Sequence, residues 1–256
     1  MSDYELVSFA NGLKCFAQSP DEARFQYEEI FELGCYDKVD LPPRPFVVDV
    51  GANIGLFSVF VKQKWPDATI MAFEPMPESL EMLRKNLALH GLEDVLVDDH
   101  ALGSVREPDV PFTYYPLIPG NSTRYPAQKE LQKTVLTPIE GREVVQEKHT
   151  GYEHRVRVDR LSSFLGGQPR VDLLEVDVEG AELDVLLGID PADWPRIDQV
   201  IMEVQDLDGR LDTIRALLDR QGMRCSVDLS PLIPPDIRTY VVHAIRTPRG
   251  EGGTPR

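Results

Sequence analysis

The chain has 256 residues, a net charge of −16 and 42% hydrophobic residues, which suits one large α/β domain with a packed core and excludes a disordered chain. A surface this acidic repels phosphate backbones, and no basic run offsets it, so nucleic acid is not an expected partner. The three cysteines, Cys15, Cys35 and Cys225, are too scattered for a disulfide framework or a zinc site and fit a reducing cytoplasm.

Met1-Ser2-Asp3-Tyr4-Glu5 lacks the pattern of a signal peptide. No stretch approaches the ~18 apolar residues that a membrane span needs. Residues 1–44 are expected to form a helical and extended cap. Ser19-Pro20-Asp21-Glu22 opens a short amphipathic helix carrying Phe25, Tyr27, Ile30, Phe31 and Leu33. Leu41-Pro42-Pro43-Arg44-Pro45 is a stiff connector.

A strand-then-helix rhythm follows over residues 45–246. Phe46 to Val50 is a continuous apolar run with one acid, as a buried parallel strand requires. Leu56, Val59, Phe60 and Trp65 lie near helical spacing, and Thr69 to Phe73 is a second strand closed by Glu74-Pro75. Pro77 opens a helix that Gly91 ends, and Val95 to Val97 is a third strand. Residues 104–154 then break the rhythm with six prolines between Glu107 and Pro138, which reads as an insertion or lid. The pattern resumes with a strand from Val171 to Asp177, a helix from Ala181 to Leu187 and a strand from Gln199 to Val204. An apolar helical face with Leu211, Ile214 and Leu218 comes next. Met223 to Leu229 and Thr239 to Ile245 form an antiparallel pair at a sheet edge. The Gly/Pro-rich tail, 247–256, is expected to be disordered.

The alternation implies a doubly wound, seven-stranded, mostly parallel sheet with an antiparallel C-terminal strand pair. Ligands of such sheets bind beyond the carboxyl ends of the strands. Those ends carry Asp49, Glu74, Asp99, His100, Asp177 and Glu203. In Gly51-Ala52-Asn53-Ile54-Gly55 the glycines permit a tight turn and a close ligand, and a helix start offers free N–H groups. Glu74, about 20 residues later, is placed to accept ribose hydroxyls. A dinucleotide fingerprint needs Gly-x-Gly-x-x-Gly. Here those positions are Gly51, Asn53 and Leu56, which favours a nucleoside ligand with an amino-acid end over one with a pyrophosphate. S-adenosylmethionine is such a ligand.

Asp177-Val178-Glu179-Gly180-Ala181-Glu182 places three acids at a strand end and helix start. Asp177 and Glu203 end consecutive strands and can converge. Together they can hold a divalent cation, bind a substrate hydroxyl or share a proton, and the sequence leaves these alternatives open. Tyr114, Tyr115 and Asn121 in the insertion are the candidate acceptor-binding residues. His149 and His154 are read as solvent-exposed.

These blocks resemble the FkbM family of methyltransferases over roughly residues 25–205. The likeness rests on Val48 to Gly55, Ala72-Phe73-Glu74-Pro75 with Asn86, His100-Ala101-Leu102-Gly103, and Leu173 to Glu182. It implies a class I Rossmann-like methyltransferase fold and S-adenosylmethionine as donor, with S-adenosylhomocysteine as product. It also implies O-methylation of a small-molecule hydroxyl on a polyketide, peptide or sugar of secondary metabolism. Asp49, Gly51 and Asn53 would line the methionine side, Glu74 the ribose, Asp99 or His100 the adenine and Asp177 the sulfonium. Where many members carry a histidine two residues after the acid of the fifth strand, this chain has Gln205. Asp177 and Glu203 are therefore the candidate catalytic residues, and no metal ligand is assigned. The rivals are a metal-assisted variant using Asp177 and Glu203, a nicotinamide-dependent oxidoreductase, and a non-catalytic binding module. A homodimer is left open.

Overall fold

The computed structural model describes residues 4–247. The expected disordered tail lies, from residue 248 on, outside the described residues. Its main sheet comprises β3 (Phe46–Val50), β4 (Thr69–Phe73), β5 (Leu96–Asp98), β9 (Leu173–Val176), β10 (Gln199–Gln205), β11 (Met223–Leu229) and β12 (Thr239–Arg246). Their spatial order is β11-β12-β10-β9-β3-β4-β5. Strands β10, β9, β3, β4 and β5 run parallel, and β12 pairs antiparallel with both β10 and β11. The expected C-terminal pair is present, with a difference. The later strand of the two inserts beside β10, and β11 takes the edge.

Successive residues of the central strands pack on opposite faces, as a pleated strand dictates. Val47 and Leu173 join one core with Leu56 and Val59 of α2 (Leu56–Lys64) and Met82 and Leu83 of α3 (Pro77–Leu89). Val48, Val50, Leu174 and Val176 join the other core. Its helical side comes from Val185 and Leu186 of α7 (Glu182–Leu187) and Ile214 and Leu218 of α8 (Arg210–Arg220). This double covering explains why β3 and β9 read as unbroken apolar runs. The chain runs outward from β3 through β4 to β5, then returns to β9 on the other side of β3. The ligand crevice of such a sheet opens at this reversal.

Two regions differ from the sequence reading. The N-terminal cap contains a hairpin, β1 (Glu5–Ser8) with β2 (Lys14–Ala17), before α1 (Pro20–Tyr27). That helix continues into a π-helical turn, Glu28–Glu32. The proline-rich segment is not irregular. It contributes β7 (Glu107–Tyr114), α4 (Glu130–Glu140), α5 (Arg142–Lys148) and the start of β8 (Tyr152–Asp159). With β6 (Ala101–Leu102) these strands form a separate three-stranded sheet, order β6-β8-β7. The added unit therefore reaches beyond residues 104–154 on both sides, and α6 (Ser162–Leu165) leads back to β9. Among the described residues no helix is long and apolar enough to cross a membrane.

Candidate active site

The glycine loop leaves β3 with left-handed backbone at Gly51 (φ 91), Asn53 (φ 46) and Gly55 (φ 87). The N–H groups of Gly51 and Ala52 both donate to the Phe73 carbonyl, at 3.0 and 2.9 Å. Asn53 N–H donates to Glu74 Oε2 at 2.9 Å, and Met76 N–H donates to Glu74 Oε1 at 2.7 Å. Glu74 thus ties the loop after β3 to the end of β4. Ser58 donates to Asp49 Oδ2 at 2.7 Å, while Oδ1 is buried without a partner. No side chain caps the start of α2, so its first N–H groups remain available to a ligand.

These residues border a cavity of about 830 Å³, within the ~300–1,000 Å³ usual for small-molecule sites. Asp49, Gly51, Asn53, Glu74, His100 and Asp177 line it, as does Glu203. His100 is oriented by a 2.7 Å hydrogen bond between Nδ1 and Asp98. Asp99 stays outside the lining and pairs with Arg157 at 2.5 Å on the surface. Of the candidate acceptor residues, Asn121 lines the cavity and accepts a 2.9 Å hydrogen bond from Lys129. Tyr114 and Tyr115 do not line it. Both are buried; Tyr114 donates to Gln18, and Tyr115 packs edge-on against His149. The Tyr114 ring packs in the core of the small sheet. His149, expected to be exposed, is itself buried, and its Nδ1 meets the Val145 carbonyl at 2.9 Å.

The side chains that the sequence reading missed are mainly acids. Glu29, from the π-helical turn, lines the cavity, as Glu203 does. Glu175 lies beside Asp49 in the β3–β9 register and accepts from the Tyr36 hydroxyl at 3.1 Å. Glu175 and Asp177 are two apart, so strand alternation alone puts both on one face. Nothing local flags Glu29 or Tyr36, which reach the site only by tertiary folding. Lys129 is buried and paired with Glu179.

So many acids with so few cations raise one another's titration. Desolvation is the largest cause at every group, even at half-buried Glu29 and Glu203 and at Asp177, which is exposed to the cavity. It lifts Asp49, Glu74 and Glu29 to about 7. Glu203 and Asp177 rise well above the ordinary carboxylate range, with neighbouring acids adding to burial. Among the described residues, three ligand-type atoms gather within 4.8 Å at Asp98, Asp99 and His100, not at Asp177 and Glu203.

Part of the lining is apolar. Leu117, Ile118, Leu136, Ile139, Leu232 and Ile233 line the cavity, and Ile139 is 64% exposed. A lining with both acidic and apolar side chains suits a ligand with a charged nucleoside part and a second molecule with an apolar body.

Residues 49–225 match the model of the methyltransferase FkbM domain. Methyltransferase 1 of Beauveria bassiana is 41% identical over 229 residues, covering 88% of this chain and 90% of that protein. The 31-O-demethyl-FK506 methyltransferase FkbM of Streptomyces tacrolimicus is 37% identical over 250 residues, covering 91% and 94%. Among solved structures, a methyltransferase FkbM from Methylobacillus flagellatus KT superposes with a TM-score of 0.55 at 14% identity. That match covers 82% of this chain and 45% of the other, a likeness of fold.

Proposed function

The chain belongs to the FkbM methyltransferase family and is an S-adenosylmethionine-dependent methyltransferase; we propose that it methylates a hydroxyl oxygen of a small secondary metabolite. Membership of this family displaces the nicotinamide-dependent and non-catalytic readings. The observation that carries the proposal is one cavity with two chemically distinct kinds of lining. The glycine loop, Glu74, Asp177 and Glu203 line it together with apolar side chains such as Leu117, Leu136 and Ile139. The relative from Streptomyces tacrolimicus is, by its name, a methyltransferase of 31-O-demethyl-FK506, which agrees with this reading.

The residues fit the donor. Glu74 keeps acceptor capacity for ribose hydroxyls beyond its two backbone bonds. The uncapped start of α2 suits the carboxylate of an amino-acid end, and Asp49 and Asn53 border the same end. His100 lies at the adenine side. When bound, the donor supplies an activated methyl group on a sulfonium. The protein's task is then alignment, which can be worth up to ~7–11 kcal/mol, and removal of the hydroxyl proton, worth roughly 10²–10⁴-fold. Asp177 or Glu203 takes that proton, and Asn121 and the apolar side chains orient the acceptor.

The test is a panel of hydroxylated natural products assayed with and without EDTA. Asp177→Ala is then assayed on whichever acceptor turns over, at saturating donor. It should fold and lose turnover. Unchanged turnover removes Asp177 from the chemistry, and loss of wild-type turnover in EDTA replaces this reading with the metal-assisted one.

A further inference from the structure

The start of α1 grips the added unit along one seam. Ser19 Oγ donates to the Leu117 carbonyl at 2.9 Å, Gln18 accepts from the Tyr114 hydroxyl, and Glu22 Oε1 accepts from the Gly120 N–H. Glu22 also reaches the glycine loop, where its Oε1 accepts from Asn53 Nδ2 at 3.4 Å. The fit around Gly120 is close. A Cβ placed there would lie 2.6 Å from Glu22 Oε1 and 3.1 Å from Asn53 Nδ2, so three separate segments meet at one backbone position. Glu22, Asn53 and Gly120 all line the cavity.

A first-turn acid ordinarily serves the helix dipole. Asp21, its neighbour, is exposed and pairs with Arg24 of the same helix, whereas Glu22 turns inward. Three polar atoms at the seam, Glu22 Oε2, Asn53 Oδ1 and Gln18 Nε2, are buried without a partner. Such atoms are costly, and an apolar seam would join these segments at lower cost. The polar seam is explained by what it connects. Asn53 belongs to the donor loop, and its N–H is held by Glu74. Residues 117–123 carry Leu117 and Asn121 of the acceptor side, and their far end is fastened too. Thr123 Oγ1 donates to the Glu179 carbonyl at 2.7 Å, and Lys129 bridges Asn121 and Glu179.

We infer that Glu22 is a positioning residue, which clasps the glycine loop to residues 117–123 so that a ligand ordering one of them orders the other. This rests on the reading that the donor occupies the cavity beside the glycine loop. Glu22 acts through Asn53 and Gly120 rather than on the reacting atoms. A donor that fixes Asn53 fixes the Glu22 carboxyl, and with it the Gly120 N–H and the neighbouring Asn121. The two substrates are then set relative to each other by a helix outside residues 49–225. The coupling is reciprocal, so an acceptor that orders residues 117–123 tightens the donor by the same factor.

The experiment is hydrogen exchange of the full chain, read by mass spectrometry with and without saturating S-adenosylhomocysteine. In the wild-type chain the ligand should slow exchange at residues 51–56 and also at residues 117–123. In Glu22→Ala the slowing at 51–56 should persist. The slowing at 117–123 should fall roughly tenfold, the factor that one hydrogen bond to a carboxyl represents. Glu22→Gln keeps an acceptor for the Gly120 N–H and should restore it. Gly120→Ala approaches from the other side. Its methyl displaces the Glu22 carboxyl and should uncouple the two segments as Glu22→Ala does, so the test does not depend on Glu22→Ala folding.

Slowing at 117–123 that is equal in Glu22→Ala and wild type overturns the inference. So does a wild-type chain that slows at 51–56 and not at 117–123. Equal loss of slowing from both segments, without rescue by Glu22→Gln, shows a general loosening and overturns it as well. If S-adenosylhomocysteine slows neither segment of the wild-type chain, the placement of the donor fails first and the inference falls with it.

Discussion

A Cβ placed on Gly51 would lie 1.8 Å from the carbonyl oxygen of Asp177. The loop after β3 and the acid after β9 therefore touch backbone to backbone, with no room for a side chain between them. Their contact spans the two strands that flank the reversal of the sheet, and it sets Asp177 against the nucleoside loop.

Gly51→Ala meets both that oxygen and a left-handed backbone at φ 91. It should destabilise the fold by about 1–3 kcal/mol and abolish S-adenosylhomocysteine binding. Urea denaturation and calorimetry check the two effects. A variant as stable and as tightly binding as wild type contradicts the close approach.

Glu74 separates structure from binding. Glu74→Ala strands two backbone N–H groups, those of Asn53 and Met76, at about 1–3 kcal/mol each if they find no water. Glu74→Gln retains the size of the side chain but loses the charge offered to ribose, and should weaken S-adenosylhomocysteine by about tenfold or more. Equal binding by Glu74→Gln and wild type would remove Glu74 from the ribose.

The ligand-free protein should lose stability as pH rises. Burial outweighs hydrogen bonds at Glu22 and Glu74, which sit at about 8 and about 7. It likewise raises Asp49 and Glu29 to about 7. The ordinary values are 3.8 for aspartate and 4.5 for glutamate. Between these and the raised values the folded chain holds protons that the unfolded chain has released. Their stabilisation is complete below the ordinary values and is lost as pH rises through about 7 to 8. Glu78, where hydrogen bonds from Tyr152 and His154 outweigh burial, is lowered and acts only at more acidic pH. Urea midpoints should fall from about pH 5.5 to about pH 8.5. Midpoints that climb over this range contradict the burial of these acids.

Lys129 joins the added unit to the block after β9, through Asn121 and Glu179. Lys129→Met should leave the Glu179 carboxylate and the Asn121 amide oxygen without their partner and loosen residues 117–148, seen as faster hydrogen exchange there with the central strands still protected. Uniform exchange across the chain would show that the pair supports the whole fold instead.

The central sheet was legible because its strands bury both faces. β3 and β4 run over Phe46–Val50 and Thr69–Phe73, the bounds that their apolar runs and the closing Gly51 and Glu74 imply. The hairpin of β1 and β2 escaped notice because four-residue strands carry too little alternation. Prolines in β7 disguised a strand; Pro108 and Pro111 lie on the outer strand of the small sheet, where a missing N–H is tolerated. Of the site, the acids at strand ends were readable from position alone. Glu29 was not, since a π-helical turn before the linker delivers it. Tyr114 and Tyr115 drew attention as an aromatic pair in a lid, whereas both are buried and the Tyr114 ring belongs to the core of the small sheet.

The most direct test of the account follows the methyl carbon itself. Donor with an isotope-labelled methyl group is incubated with the chain and the hydroxylated panel, and the product is read by NMR. The label bonded to oxygen, with one S-adenosylhomocysteine formed per methyl transferred, is the predicted result. The label on nitrogen or carbon, or S-adenosylhomocysteine formed without a methylated oxygen, would contradict it.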